Sequence, residues 1–235
     1  MPEHTLKQFD AELEAVRARV LQMGGLVEEQ IVRAMEALAT GNTQIAVRVV
    51  DDDHKVNTLE VAIDEECSTI IARRQPAAVD LRMLMLVVKT ITVLERFGDE
   101  AAKIARMTQL IYEADRPLVP RTNEIRHMAD VALAMLRNSL DAFARLDLTV
   151  AAKVVRQDDR VDDAFRAILR QLITFMMEDP RTISHAIEIL FIAKAIERIG
   201  DHAKNMSEYV VYMVKGKDVR HTGPEGVERE ALTQH

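Results

Sequence analysis

Glu95-Arg96-Phe97-Gly98-Asp99-Glu100-Ala101 returns as Glu197-Arg198-Ile199-Gly200-Asp201-His202-Ala203, so that Glu95 and Glu197 stand 102 positions apart (197 − 95) in a chain of 235 residues. One structural unit is written twice. At about 100° per residue, the advance of an α-helix, Glu95 falls in the middle of the apolar stripe Leu84, Val88, Ile91 and Ala102. Glu197 likewise lies on the face of Ile183, Ala186, Leu190 and Ala193, with Asp201 one turn further along. A carboxylate buried without a partner is costly, so a compensating charge has to reach each stripe.

Outward from these two stretches, helix breakers are few and fall in matching places. A first helix is predicted from about Leu6 to Ala39, with Phe9, Leu13, Val16, Val20, Met23, Val27, Ile31, Met35 and Leu38 at spacings of three and four. It stops at the Gly41-Asn42 turn, and Gly24-Gly25 offers a bend. A second runs from about Thr43 to Arg73 and is closed by the Gln75-Pro76 step, because the residue before a proline disfavours the helical region. The third, about Ala78 to Tyr112, carries the first acidic stretch and ends before Arg116-Pro117-Leu118-Val119-Pro120, the strongest boundary in the chain. The fourth spans about Asn123 to Leu146 and the fifth about Thr149 to Met177. The sixth opens with Pro180 at an early helical position and closes near Gly216. Short joints make successive helices antiparallel. The expected fold is all-α, six long helices in two tandem antiparallel three-helix bundles, covering residues 1–116 and 117–216. Residues 217–235, polar and glycine-bearing, are expected to form a flexible tail.

Composition narrows the function. With 48% hydrophobic and 29% charged residues the chain can bury a substantial core, and no apolar run approaches the roughly 20 residues of a membrane span. A formal net charge of −7 with scattered basic residues argues against nucleic acid. The single cysteine, Cys67, makes no internal disulfide and falls on an apolar face, and the N-terminus carries no secretory pattern, so a cytoplasmic protein is expected. Neither a glycine-rich phosphate loop nor a nucleophile motif is found, and no catalytic residue is assigned.

More acids belong with the two heptapeptides. Asp53 with Asn57, and Asp158 with Asp162, are spaced four apart on the second and fifth helices, which puts each pair on one helix face. Antiparallel packing brings Asp53 and Asn57 towards Glu95 and Asp99, and Asp158 and Asp162 towards Glu197 and Asp201. Oxygen ligands without thiolate suit a hard cation, Mg, Mn or Fe, more than Zn. Lys or Arg from another helix would compensate the same charges without a metal. Arg96 and Arg198 point about 100° away from the adjoining acids. Glu124-x-x-His127 is half of a di-iron motif that needs a second copy elsewhere. His202 is read as a solvent residue, and methionines such as Met83, Met85, Met176 and Met177 as core filler.

Arg73-Arg74-Gln75-Pro76 with Asp80-Leu81-Arg82, Glu95-Arg96-Phe97-Gly98-Asp99, Met177-Glu178-Asp179-Pro180-Arg181-Thr182-Ile183 and Glu197-Arg198-Ile199-Gly200-Asp201 together resemble the PhoU family over nearly the whole chain. The resemblance implies two PhoU repeats with metal ions at the acidic motifs. It also implies a non-enzymatic cytoplasmic regulator that restrains uptake by the phosphate ABC transporter and represses the phosphate-starvation response. The implied partners are the transporter's ATPase subunit and a phosphate-sensing histidine kinase, with a homodimer as the usual assembly and membrane contact only through partners. Asn57 stands where the family pattern favours Asp, and Lys103 where the second repeat has Asn205. The expected stronger site is therefore Asp158, Asp162, Glu197, Asp201 and Asn205, and the weaker one Asp53, Asn57, Glu95 and Asp99. A carboxylate-bridged metalloenzyme and a metal-free helical scaffold are the alternatives.

Overall fold

The structure, a computed structural model, describes residues 2–113, 123–220 and 222–233. Its helices are α1 (Pro2–Thr40), α2 (Thr43–Arg74), α3 (Ala78–Glu113), α4 (Asn123–Arg145), α5 (Leu148–Glu178), α6 (Ile183–Lys215) and α7 (Gly223–Leu232). The first six match the periodicity to within a few residues. The expected repeat boundary at Arg116-Pro117 lies outside the described residues. Where breakers were read, the backbone shows why chains stop and restart there. Asn42 Oδ1 accepts from the Gln44 and Ile45 amides at the start of α2, and Asp147 Oδ1 accepts from Thr149 and Val150 at the start of α5. Gln75 closes α2 in the left-handed region at φ 48°. Pro180 does not begin the sixth α-helix as expected; Pro180–Thr182 form a single 3₁₀ turn and α6 starts at Ile183.

Each repeat buries one stripe from each of its helices. Val16, Val20, Met23, Val27 and Ile31 of α1 meet Val49, Val56, Ile63 and Cys67 of α2 and Leu84, Ile91, Leu94 and Phe97 of α3 in the first. In the second, Met128, Met135, Leu136 and Phe143 of α4 meet Val154, Val161, Ile168 and Leu172 of α5 and Ile192, Ile196 and Ile199 of α6. Cys67 is fully buried, which pushes its thiol up to about 12, so it is packing rather than chemistry. Met85 and Met177, expected in the core, are exposed; the methionines that do fill it include Met23, Met128, Met135 and Met206.

The two repeats join along α3 with α6 and along α1 with α4. Phe97 meets His202 edge-on at 5.6 Å between ring centroids, Arg198 Nε reaches Glu100 Oε1 at 2.8 Å, and Lys89 lies 5.3 Å and 5.0 Å from the rings of Tyr209 and Tyr212. Rising numbers on α3 meet falling numbers on α6, so the pair is antiparallel. The same holds for α1 and α4, where Arg17 donates to the Ala144 carbonyl at 2.7 Å and Arg137 pairs with Glu28 at 2.7 Å. Between these contacts, a Cβ on Gly24 would lie 2.5 Å from Leu140 Cδ2. Gly24 thus serves close approach of two helices inside a continuous α1.

Residues 217–235, expected to be a flexible tail, include a seventh helix. Residues 223–232 form α7, which lies on α5 and α6 and buries Val227 and Ala231, while Val219 anchors the loop before it. Two aliphatics four apart suffice when a ready groove receives them, and composition alone does not register a groove. Among the described residues no helix is long and apolar enough to cross a membrane.

Candidate functional site

Gly98 and Gly200 set the geometry of the two acidic seams. A Cβ on Gly98 would lie 2.9 Å from Asp53 Oδ1 and 3.6 Å from Val56 Cγ1; one on Gly200 would lie 3.4 Å from Asp158 Oδ1 and 3.3 Å from Val161 Cγ1. In each repeat the bare glycine backbone lets the neighbouring helix bring an aspartate and a valine, three residues apart, against the acidic turn. These contacts are what unite Asp53 with the Glu95-Asp99 helix and Asp158 with the Glu197-Asp201 helix. The glycine recurs in both copies of the motif, a signal that periodicity does not use.

In the first seam, burial and the Asp99 charge raise the Asp53 carboxyl above its ordinary value, and burial together with Asp99, Glu60 and Asp53 raises Glu95. Glu60, absent from the expected set, is raised by burial and by Asp64 and Asp99, though it accepts a hydrogen bond from Thr92. Asn57 and Asp99 are exposed. Asp53 Oδ1 and Gln30 Oε1 are buried without a hydrogen-bond partner, and among the described residues Asp53, Glu95 and Asp99 form no ion pair.

The second seam is more enclosed and already compensated in part. Asp158 has a side chain 4% exposed and receives Lys204 Nζ at 2.7 Å, and Glu197 receives Lys194 Nζ at 2.6 Å. Asp158 Oδ1 and Glu197 Oε2 remain without partners. Asp201 is pushed up to about 6 by burial and by the charges of Glu197, Asp158 and Asp162. Asp162 and Asn205 are half-buried beside it. Beyond Lys204 lies Glu208, buried and pushed up to about 7, chiefly by desolvation. Lys204 and Glu208 were not singled out from sequence, because they interrupt the α6 stripe no more visibly than any surface pair.

Among the described residues no three His, Cys, Asp or Glu side chains stand close enough together to hold a metal ion. Burial first, and neighbouring acids second, raise Asp53, Glu95 and Asp201 above their ordinary values. Two lysines pair with acids of the second seam, whereas among the described residues the first has no lysine and only the longer-range charges of Arg106 and Arg96. His202, expected in solvent, is buried against Phe97 with both ring nitrogens unpartnered, and burial lowers it to about 4. It faces the other repeat, which a pattern read along one helix does not reveal. Glu124 and His127 are both exposed and take no part.

A tandem pair of three-helix bundles, each with a glycine-seated acidic seam between its second and third helices, defines a class of all-helical repeat protein. The PhoU domain matches residues 20–108 and 125–210. The chain is 48% identical over 98% of its length, and 98% of the relative's, to a phosphate-specific transport system accessory protein PhoU homolog of a Burkholderia species. It is 44% identical over 97% of its length to the phosphate-specific transport system accessory protein PhoU of Escherichia coli, covering 93% of that protein. The crystal structure of PhoU from Pseudomonas aeruginosa superposes with a TM-score of 0.85 at 45% identity, over 89% of this chain and 100% of that one. The phosphate transport system regulatory protein PhoU of Streptococcus pneumoniae superposes at 0.83 with 28% identity, over 90% and 99%. The chain belongs to the PhoU family.

Proposed function

We propose that this chain is a non-enzymatic, cytoplasmic accessory protein of phosphate-specific transport that restrains phosphate uptake and represses the phosphate-starvation response. The observation that carries this reading is likeness across essentially the full length of relatives bearing that name, with both repeats matched. The finer assignments follow the same family reading: contact with the transporter's ATPase subunit and a phosphate-sensing histidine kinase, and assembly as a homodimer. Long rigid helices suit such a role, since α3 at 36 residues is roughly 54 Å long at 1.5 Å per residue. It can present one surface to two partners. Deletion in the native cell is expected to leave alkaline phosphatase and other phosphate-scavenging genes expressed in phosphate-rich medium, with repression restored by a wild-type copy. Normally repressed expression after deletion overturns the regulatory assignment.

A hard divalent cation fits the first seam by donor chemistry. Asp53, Glu95 and Asp99 form no salt bridge among the described residues, only the longer-range charges of Arg106 on Asp53 and Arg96 on Glu95 oppose them, and Asp53 Oδ1 is buried and unpartnered. These residues would hold the ion, Glu95 and Asp99 by turning inward. Bound there, it supplies positive charge that fixes α2 against α3. The second seam supports the metal-free reading more strongly, because Lys204 and Lys194 already occupy Asp158 and Glu197. Calorimetric titration with Mn²⁺ or Mg²⁺ is therefore expected to lose more affinity in Asp99→Asn than in Asp201→Asn. Equal losses, or binding by neither wild type nor variants, count against the cation at the first seam.

A further inference from the structure

The helix α7 sits in a groove between α5 and α6 whose counterpart in the first repeat, between α2 and α3, receives no helix among the described residues. The glycine contacts fix the correspondence, because Asp53 and Val56 meet Gly98 as Asp158 and Val161 meet Gly200. In that register Val47, Val50 and Asp51 of α2 match Ala152, Val155 and Arg156 of α5, and Arg106, Leu110 and Glu113 of α3 match Glu208, Tyr212 and Lys215 of α6.

Covered and uncovered grooves differ as a seated helix requires. Ala152 is 8% exposed and Val155 fully buried, whereas Val47 is 45% exposed and Val50 half-buried; Leu110 is 45% exposed. The apolar floor is present in both repeats, and among the described residues the second alone has an occupant.

Charge identifies what the first groove would take. Around α7, Arg156 pairs with Glu228, Lys217 pairs with Glu230 at 2.6 Å, and Lys215 Nζ donates to the Thr233 carbonyl at 2.6 Å. The helix is acidic, with Glu225, Glu228 and Glu230 against a single Arg229. In the first groove the sign is reversed at the two matching positions among the described residues that touch α7, Asp51 for Arg156 and Glu113 for Lys215, and also at Arg106 for the buried Glu208. Asp51 and Glu113 are exposed at its rim, while Arg106 faces Asp53 electrostatically. An acidic helix such as the α7 of a second copy would bring Glu228 against Asp51. Like charges opposed across an interface disfavour that partner, and opposite charges select another.

We infer that the α2/α3 groove bounded by Val47, Val50, Asp51, Leu110 and Glu113 is a docking surface for a short basic amphipathic helix of a partner protein. That helix presents small aliphatic residues four apart, as Val227 and Ala231 do in α7, with Lys or Arg where α7 carries glutamates. This goes beyond the regulatory reading and holds whichever partners that reading assigns.

The test uses the full chain and two synthetic ten-residue peptides. One is the α7 sequence and the other carries Glu225→Lys, Glu228→Lys and Glu230→Lys. Methyl NMR is expected to show the basic peptide shifting Val47, Val50 and Leu110 with at least about tenfold preference over the acidic one, and Asp51→Lys removing about that factor, as a rim charge pair at an interface allows. Val47→Asp abolishes the shifts; both substitutions are at exposed positions, and circular dichroism checks that the fold is kept. Equal binding of the two peptides overturns the inference. So do shifts confined to Ala152 and Val155, which would mean displacement of α7, and an absence of shifts at millimolar peptide. Loss of a homodimer in Val47→Asp, without a peptide effect in the wild type, would make the groove an interface between copies and overturn it equally.

Discussion

Glu208→Gln is expected to be more stable than the wild type at about pH 8, by about 3 kcal/mol, and equal to it near pH 4, since each unit of pKa shift corresponds to about 1.4 kcal/mol. Glu208 is 4% exposed, and burial pushes its carboxyl from 4.5 up to about 7. The folded state therefore holds that proton more tightly than the unfolded chain. Its contribution is fully present below the unfolded value of 4.5 and is lost as pH rises through about 7. Lys204 and Arg220 favour the charged form and Asp158 and Asp218 oppose it, but desolvation dominates. Glutamine keeps the shape of the protonated acid and cannot ionise, so it escapes the loss. Asp201, pushed up to about 6, slopes the same way. His202 slopes the other way, because a buried neutral imidazole lowered to about 4 loses stability as pH falls from its ordinary 6.5. Comparing variant with wild type by urea denaturation across this range isolates Glu208 from both. A gap that does not change with pH, or a glutamine variant less stable at pH 8, refutes the account.

The long helices were legible because periods of three and four over thirty residues admit few other readings. Val16, Val20, Met23, Val27 and Ile31 all reached the core. The acids were legible for the converse reason: Glu95 and Glu197 break such stripes at the same place in both repeats. What a stripe withholds is the identity of whatever lies across from it. His202 and Glu100 are buried by the packing of one repeat on the other, and nothing along α6 or α3 marks that face as an interface. Lys204 looks like an ordinary surface lysine until α5 places Asp158 beside it. α7 escaped notice because its helix carries Gly223 and Gly226 and is too short to persist alone, so its stability resides in the groove. A count of acids along the sequence omits the cations that folding brings beside each seam, as Lys204 beside Asp158 illustrates.

Lys204→Met is the second variant with a large expected cost, about 3 kcal/mol, because removing one partner of a buried pair leaves the other charge uncompensated. Asp158 is the member left behind. Its Oδ2 is held by Lys204 at 2.7 Å, its Oδ1 has no partner, and Val154 and Val161 flank it in the core. The lysine side chain is 30% exposed, so water reaches part of the vacated space and keeps the loss near the lower end for buried pairs. Adding Asp158→Asn to Lys204→Met removes the stranded charge and is expected to recover most of the stability, and that recovery separates lost pairing from lost packing. Burial already raises Asp158, so without the lysine it should take up a proton more readily and the deficit should shrink as the solution is acidified. A single variant as stable as the wild type, or a double variant no better than the single, would show that the pair contributes little. The first repeat supplies the natural contrast, since Ala102 stands at the position matching Lys204 and Asp53 has no lysine to receive. There the same helix geometry leaves Asp53 with Gln30 and the longer-range charge of Arg106 beside its acidic neighbours. If Lys204 is what makes the second seam self-sufficient, Lys204→Met should also acquire a response to Mn²⁺ at that seam, and a thermal shift larger than the wild type's, with the excess abolished by Asp158→Asn, would show it.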